Sequence, residues 1–194
     1  RRDDLADLST PLAGVVTSAF HLGETPAAKM RADAYPFYAA GLTSLRGVAP
    51  DPDGAVASFE RALQLDPNAV PALSALADAY VRKYLAQRDG GLLVKARQAA
   101  QRAQSLQPDS PAVLAVLGTI ERFQGRTERA LEFFRRATEI EPDNSDIWRR
   151  IGMSLQEIGH DAEAIDAVRR AVQLAPDYFA THRDLGVVYF RIGR

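Results

Sequence analysis

Three ladders of identical residues recur at one interval in the second half of the chain. Pro108, Pro142 and Pro176 are spaced by 34 residues, as are Gly118, Gly152 and Gly186, and again Gly125, Gly159 and Gly193. In a single globular core each residue meets its own environment, so nothing enforces such spacing. A fixed interval of this length means one supersecondary unit stacked on copies of itself. The ladders confine the chain to a repeat array.

Within one unit, Leu114-x2-Leu117-Gly118 is followed by Ala130-x3-Phe134, then by Ala137 and Pro142. The next gives Trp148-x2-Ile151-Gly152-x2-Leu155, then Ala164-x3-Val168, Ala171 and Pro176. Period and residue types together resemble the tetratricopeptide repeat, whose signature places an aromatic, Leu-Gly, an aromatic, then Ala, Phe and a closing Pro at these offsets. The resemblance implies an all-α fold, a right-handed α-solenoid of antiparallel helix pairs. It also implies a scaffold for protein-protein interaction, binding a partner peptide or domain in the concave groove.

On this reading residues 1–33 form a helical leader and 34–194 the array, with repeats at about 34–69, 70–110, 111–144 and 145–178 and a half repeat over 179–194. In the leader, Leu5, Leu8, Leu12, Val15, Val16 and Ala19 recur at helical spacing, and Thr10-Pro11 suits a helix start, which predicts a helix over about 11–21. Thr25-Pro26 predicts a short second one through Met30 and Ala32. In the first repeat the turn Val48 to Gly54 is about two residues too long for the period, and its two prolines and one glycine mark it as a loop. The second repeat, from Pro67 to Pro108, carries seven residues beyond the period. A turn at Asp89-Gly90-Gly91 would then lengthen both of its helices by roughly one turn, about 5 Å each, and place Tyr84, Leu85, Leu92 and Leu93 on the extension. The start Arg1-Arg2-Asp3-Asp4 and the interrupted fifth unit read as those of a fragment of a larger bacterial protein.

Charge and residue usage exclude several function classes. The net charge is −1, with no basic excess for nucleic acid or a membrane surface, and no run of 18 apolar residues occurs for membrane insertion. With no cysteine there is no thiol nucleophile and no thiolate metal site. His21, His160 and His182 fall on a leader, a turn and a structural helix position, so they do not converge as a metal or catalytic group would. Gly90-Gly91 lacks the flanking pattern of a phosphate loop. No catalytic, cofactor-binding or metal residues are assigned, and the segment is read as not an enzyme.

Numbering each unit from its first helical residue, positions 4, 7, 8 and 11 share one face about 100° wide and must meet positions 20, 24 and 27 of the second helix. Positions 2, 5, 9, 12 and 13 form an adjacent stripe that does not build the unit. In the resembled family this stripe lines the concave, peptide-binding surface. It supplies the candidate site residues Tyr38, Arg46, Asp78, Arg82, Thr119, Arg122, Phe123, Arg149, Met153, Gln156, Arg183 and Phe190. The whole stripe holds six arginines against three acids, so an acidic protein or peptide partner is expected. The family's Lys/Arg-Asn carboxylate clamp and its asparagine ladder find no support, since Asn68 and Asn144 both lie in inter-repeat turns. An alternative places the array as the C-terminal regulatory region of a bacterial signalling protein carrying a serine/threonine kinase, cyclase or transcription-regulator domain. The last helix, with Leu185, Tyr189 and Ile192 uncovered, is a candidate for self-association.

Overall fold

A computed structural model describes residues 30–46, 49–191 and 193, and the leader helix expected over about 11–21 lies outside them. Nine helices and no strands occur among the described residues: α1 (Tyr35–Ser44), α2 (Pro52–Leu65), α3 (Val70–Gln87), α4 (Gly90–Leu106), α5 (Pro111–Phe123), α6 (Thr127–Ile140), α7 (Ser145–Glu157), α8 (Asp161–Leu174) and α9 (Phe179–Arg191). Of the expected short helix, Met30 is a bend and residues 32–34 a turn. Pro36, favoured in a first helical turn, sets the start of α1 at Tyr35 instead.

Local chemistry fixes the helix ends. Pro52 and Pro111 open α2 and α5, where a missing N–H costs nothing, and the side chains of Asp51, Asp89 and Asn144 accept from backbone N–H groups in the first turns of α2, α4 and α7. Gly125 and Gly159 follow α5 and α7 with φ of 76° and 78°, left-handed values that carry a penalty for residues with a Cβ. In the second pair that position falls to Arg88, at φ 58°. The turn there is Arg88-Asp89, and Gly90 and Gly91 lie inside α4, because the Asp89 carboxylate caps the Gly91 N–H at 2.8 Å. Similarly the first-repeat loop stops at Asp51, whose side chain caps Gly54 at 2.9 Å and draws Pro52 to Gly54 into α2. The helices α3 and α4 run 18 and 17 residues, against 13 and 14 in α5 and α6.

Each odd helix from α1 to α7 packs on the even helix after it. The closest approach is built at one glycine, where a Cβ on Gly118 would lie 2.6 Å from Cε1 of Phe134, so the ring seats directly on the α5 backbone. Phe59 meets Gly41 in the same way, and Val168 meets Gly152. Large residues from second helices thus fill notches left by small residues on first helices, at interior packing density. The buried residues form two adjoining clusters that meet on α5, whose Ile120 faces the earlier repeats and whose Leu114 faces the later ones.

Successive odd helices also pack on one another, α3 on α5, α5 on α7 and α7 on α9, while no comparable packing joins even helices among the described residues. Odd helices therefore line the inner, concave side, and even helices splay along the convex side. Convex contacts repeat too: Arg136 reaches Asp109 at 3.1 Å, Arg170 reaches Asp143 at 3.3 Å and Arg102 reaches Asn68 at 3.4 Å, each tying an even helix to the turn that closes the preceding unit.

Candidate functional site

The concave face begins at α1, where Tyr38 is buried with its ring centroid 5.9 Å from that of Phe59, and burial raises its hydroxyl pKa. Arg46 is exposed just beyond the helix. On α3, Arg82 donates to Asp78 at 2.7 Å one turn away. Thr119 on α5 is buried; its hydroxyl donates to the Ala115 carbonyl and accepts from Arg150. Tyr38 and Thr119 thus support the floor of the face, whereas Arg46 and Arg82 stand on its surface.

A charge network crosses the middle of the face. Asp146 accepts from Arg149 at 2.6 Å and from Arg150 at 2.7 Å, an arrangement made by i, i+3 and i+4 spacing on α7. Arg149 also donates to Asp184 on α9 at 2.6 Å, and Arg150 reaches back to Asp78 on α3 at 3.8 Å. Arg183 completes the chain with a 3.0 Å bond to Asp184. Burial by itself would raise the pKa of Asp146, but the charges of Arg150 and Arg149 overcome it and hold the carboxyl far below its ordinary range. Arg149 is correspondingly pushed up, Asp146 and Asp184 outweighing its own burial. Arg149 and Arg150 are already engaged by the protein's own carboxylates, and the face is less positive than its arginine count suggests.

Beside this network, Arg122 on α5 donates to Glu157 on α7 at 3.0 Å, and its guanidinium lies 4.7 Å from the centroid of the Phe123 ring. Phe123 in turn packs on Tyr84, in the extension of α3, with centroids 5.8 Å apart. Tyr84 and Phe123 thus brace each other, Leu92 and Leu93 are buried in the core, and Leu85 is exposed. At the far end Gln156 accepts from Arg191 at 2.9 Å, Met153 sits half-buried against Arg149, and Phe190 is 85% exposed. Towards the N-terminal end an open cleft of about 270 Å³ is walled by Tyr38, Asp78, Asp146 and Arg150, over a floor that includes Ala75, Ala112 and Ala115.

Family models described as tetratricopeptide repeat match residues 49–111 and 85–146 in one case and 123–185 in another, together spanning more than half of the chain. The chain belongs to the tetratricopeptide repeat family. No curated protein matches it in sequence. Among solved structures, TTC0263, a thermophilic TPR protein of Thermus thermophilus, is 19% identical over 96% of this chain and 94% of its own, with a TM-score of 0.71. MamA from Desulfovibrio magneticus RS-1 is 17% identical over 84% and 88%, with a TM-score of 0.57. YrrB, titled as a TPR protein with an unusual peptide-binding site, is 22% identical over 83% and 78%, with a TM-score of 0.51. At these identities the likeness is one of fold.

Three important TPR positions carry side chains that the stripe assignment missed. Arg150 and Asp184 occupy position 6, which at about 100° per residue falls roughly 20° beyond the stripe's edge. The sequence signal was present in the Asp146, Arg149, Arg150 spacing. Glu121 takes position 11 of the third repeat, a core position, and is 1% exposed; it is held by Arg97 at 2.8 Å and by Arg126. Position 4 has a polar use as well: Trp148 donates to the Pro142 carbonyl at 2.7 Å, and His182 Nε2 lies 2.6 Å from the Pro176 carbonyl. Among the described residues no group of acids and histidines could hold a metal ion, and no helix is long and apolar enough to cross a membrane.

Proposed function

We propose that the concave face of this TPR array binds a segment of a protein partner, extended or helical, along α3, α5, α7 and α9. The observation that carries the reading is Phe190, 85% exposed beside exposed Val187. Both sit at stripe positions, clear of the face by which α9 packs on the array, so folding does not require them there. Large apolar side chains presented this way act as anchors for a partner. The peptide-binding site named for YrrB, and the alanine-floored cleft that lets another backbone approach closely, point the same way.

An acidic segment suits the face, because Arg46, Arg82, Arg183 and Arg191 expose guanidinium groups along it. Exposed charges of this kind are screened by salt, so affinity should fall as ionic strength rises. The test is a pool of random peptides selected on the protein. Phe190→Ala with Val187→Ser, both surface changes, should weaken the selected peptides by about tenfold, the loss of roughly 1.4 kcal/mol of anchor contact. Unchanged binding would place the site elsewhere.

Self-association through α9 is a second, separate proposal. Gly186 has nothing within 4 Å of its missing Cβ, unlike the filled notches at Gly41, Gly118 and Gly152, and Phe179 on the same helix is exposed. Light scattering across a concentration series should show a dimer; a monomer throughout would reject it.

A further inference from the structure

Arg122 is the most unusual charged group on the concave face. Its side chain is only 11% exposed, yet it has a single ion-pair partner among the described residues, Glu157, which is itself 38% exposed and free to swing into water. Its Nε is buried without a hydrogen-bond partner among the described residues. Buried donors are nearly always paired in folded proteins, and each exception calls for a physical explanation, a functional role among them. Burial, and then the neighbouring Arg150 and Arg149 charges, push this guanidinium below its ordinary pKa against the pull of Glu157, so its positive charge is under-compensated. Arg149 and Arg150, being cations, cannot relieve it, and the nearby Asp146 carboxylate is already engaged by both of them.

The surroundings narrow what would relieve it. The guanidinium lies 4.7 Å from the Phe123 ring, itself packed on Tyr84, and a guanidinium fork suits a planar acceptor meeting two N–H groups side by side. Asp146, Asp184 and Glu157 in the same network repel a dianion, so a singly charged carboxylate is favoured over a phosphate. Resting on the concave-groove reading above, we propose that Arg122 is where the groove takes a carboxylate of the bound segment, with Glu157 as the resident carboxylate that the ligand displaces. The carboxylate comes from an Asp or Glu side chain or from a chain terminus.

Random dodecamer peptides with free C termini, selected on the wild-type protein, supply the probe. The best binder is measured by fluorescence anisotropy in three forms: as selected, amidated at the C terminus, and with its acids replaced by amides. One neutralised form should bind about tenfold more weakly, and which one identifies the source of the carboxylate. Arg122→Lys should weaken the selected form by a similar factor and leave the neutralised form unchanged. Glu157→Gln, a surface change that leaves Arg122 in place, should strengthen the selected form by about threefold. Selected peptides that bind equally well when fully neutralised, or that are insensitive to both variants, overturn the proposal. If Phe190→Ala still weakens them, the groove reading survives and only the carboxylate assignment falls. Insensitivity to Phe190→Ala as well, or a pool that yields no binder, removes both.

Discussion

Nη1 of Arg149 on α7 lies 2.6 Å from Oδ2 of Asp184 on α9, one repeat further on, and Asp184 is 3% exposed. This pair fastens the last helix to the unit before it from the concave side, while Val188 and half-buried Leu185 pack into the core. Asp184→Ala should therefore cost about 3 kcal/mol, the lower end for losing one member of a buried pair, because Arg149 keeps Asp146. A urea midpoint reads the cost, and amide exchange should rise first in α9.

Acid should loosen the array at its buried carboxylates. Burial would raise the pKa of Glu121, but its bonds to Arg126 and Arg97 prevail and hold it below its ordinary value. A carboxylate whose folded pKa lies below the unfolded value contributes stability that is complete above the unfolded value, near 4.3 for Glu, and is lost as pH falls through the folded one. Asp146 acts in the same direction. Glu121→Gln should be less stable than wild type by about 2–4 kcal/mol at pH 7, with the gap narrowing as pH falls below 4. A gap constant from pH 7 to 3, in urea titrations, would contradict this role.

The glycine ladder divides into filled and open notches, and alanine should tell them apart. Gly118→Ala drives a methyl group to 2.6 Å from the Phe134 ring and should destabilise by about 1–3 kcal/mol, as overpacking does. Gly186→Ala meets open space in a helix and should stabilise by about 0.5–1 kcal/mol. Thermal melts of the two variants suffice. Equal effects would mean that the notches are not what seats the second helices.

The regular repeats were legible because one residue type recurs for one physical reason. Gly118 and Gly152 are small where a ring or a branched side chain must pass, and Gly125 and Gly159 take the left-handed turn. Where the same residue has two uses, sequence misleads: Pro52, Gly54, Gly90 and Gly91 read as loop, yet an aspartate before each group caps them into a helix. The groove stripe was read from helical periodicity, which cannot reveal how charges pair across repeats. Asp184 consumes arginine charge that the stripe count left free, Arg150 competes for Asp78 and Asp146, and Thr119 sits beneath the surface it was expected to line.

The irregular second repeat offers a separate check. Arg88 holds φ 58° where its counterparts are glycine, a conformation that costs a residue with a Cβ roughly 1–2 kcal/mol. Arg88→Gly should raise stability by about 0.5–1 kcal/mol after the added entropy of the unfolded chain is set against the relief. Loss of stability in a chemical melt would show that the stacking of Arg88 on Tyr84 outweighs the backbone strain.

The central claim is that the inner helices meet the partner. Backbone amide shifts recorded as a selected peptide is titrated into the wild-type protein test it most directly. Changes should gather on α3, α5, α7 and α9, strongest around Arg122, Met153, Val187 and Phe190. Changes gathered on α2, α4, α6 and α8 would place binding on the convex side and contradict the account.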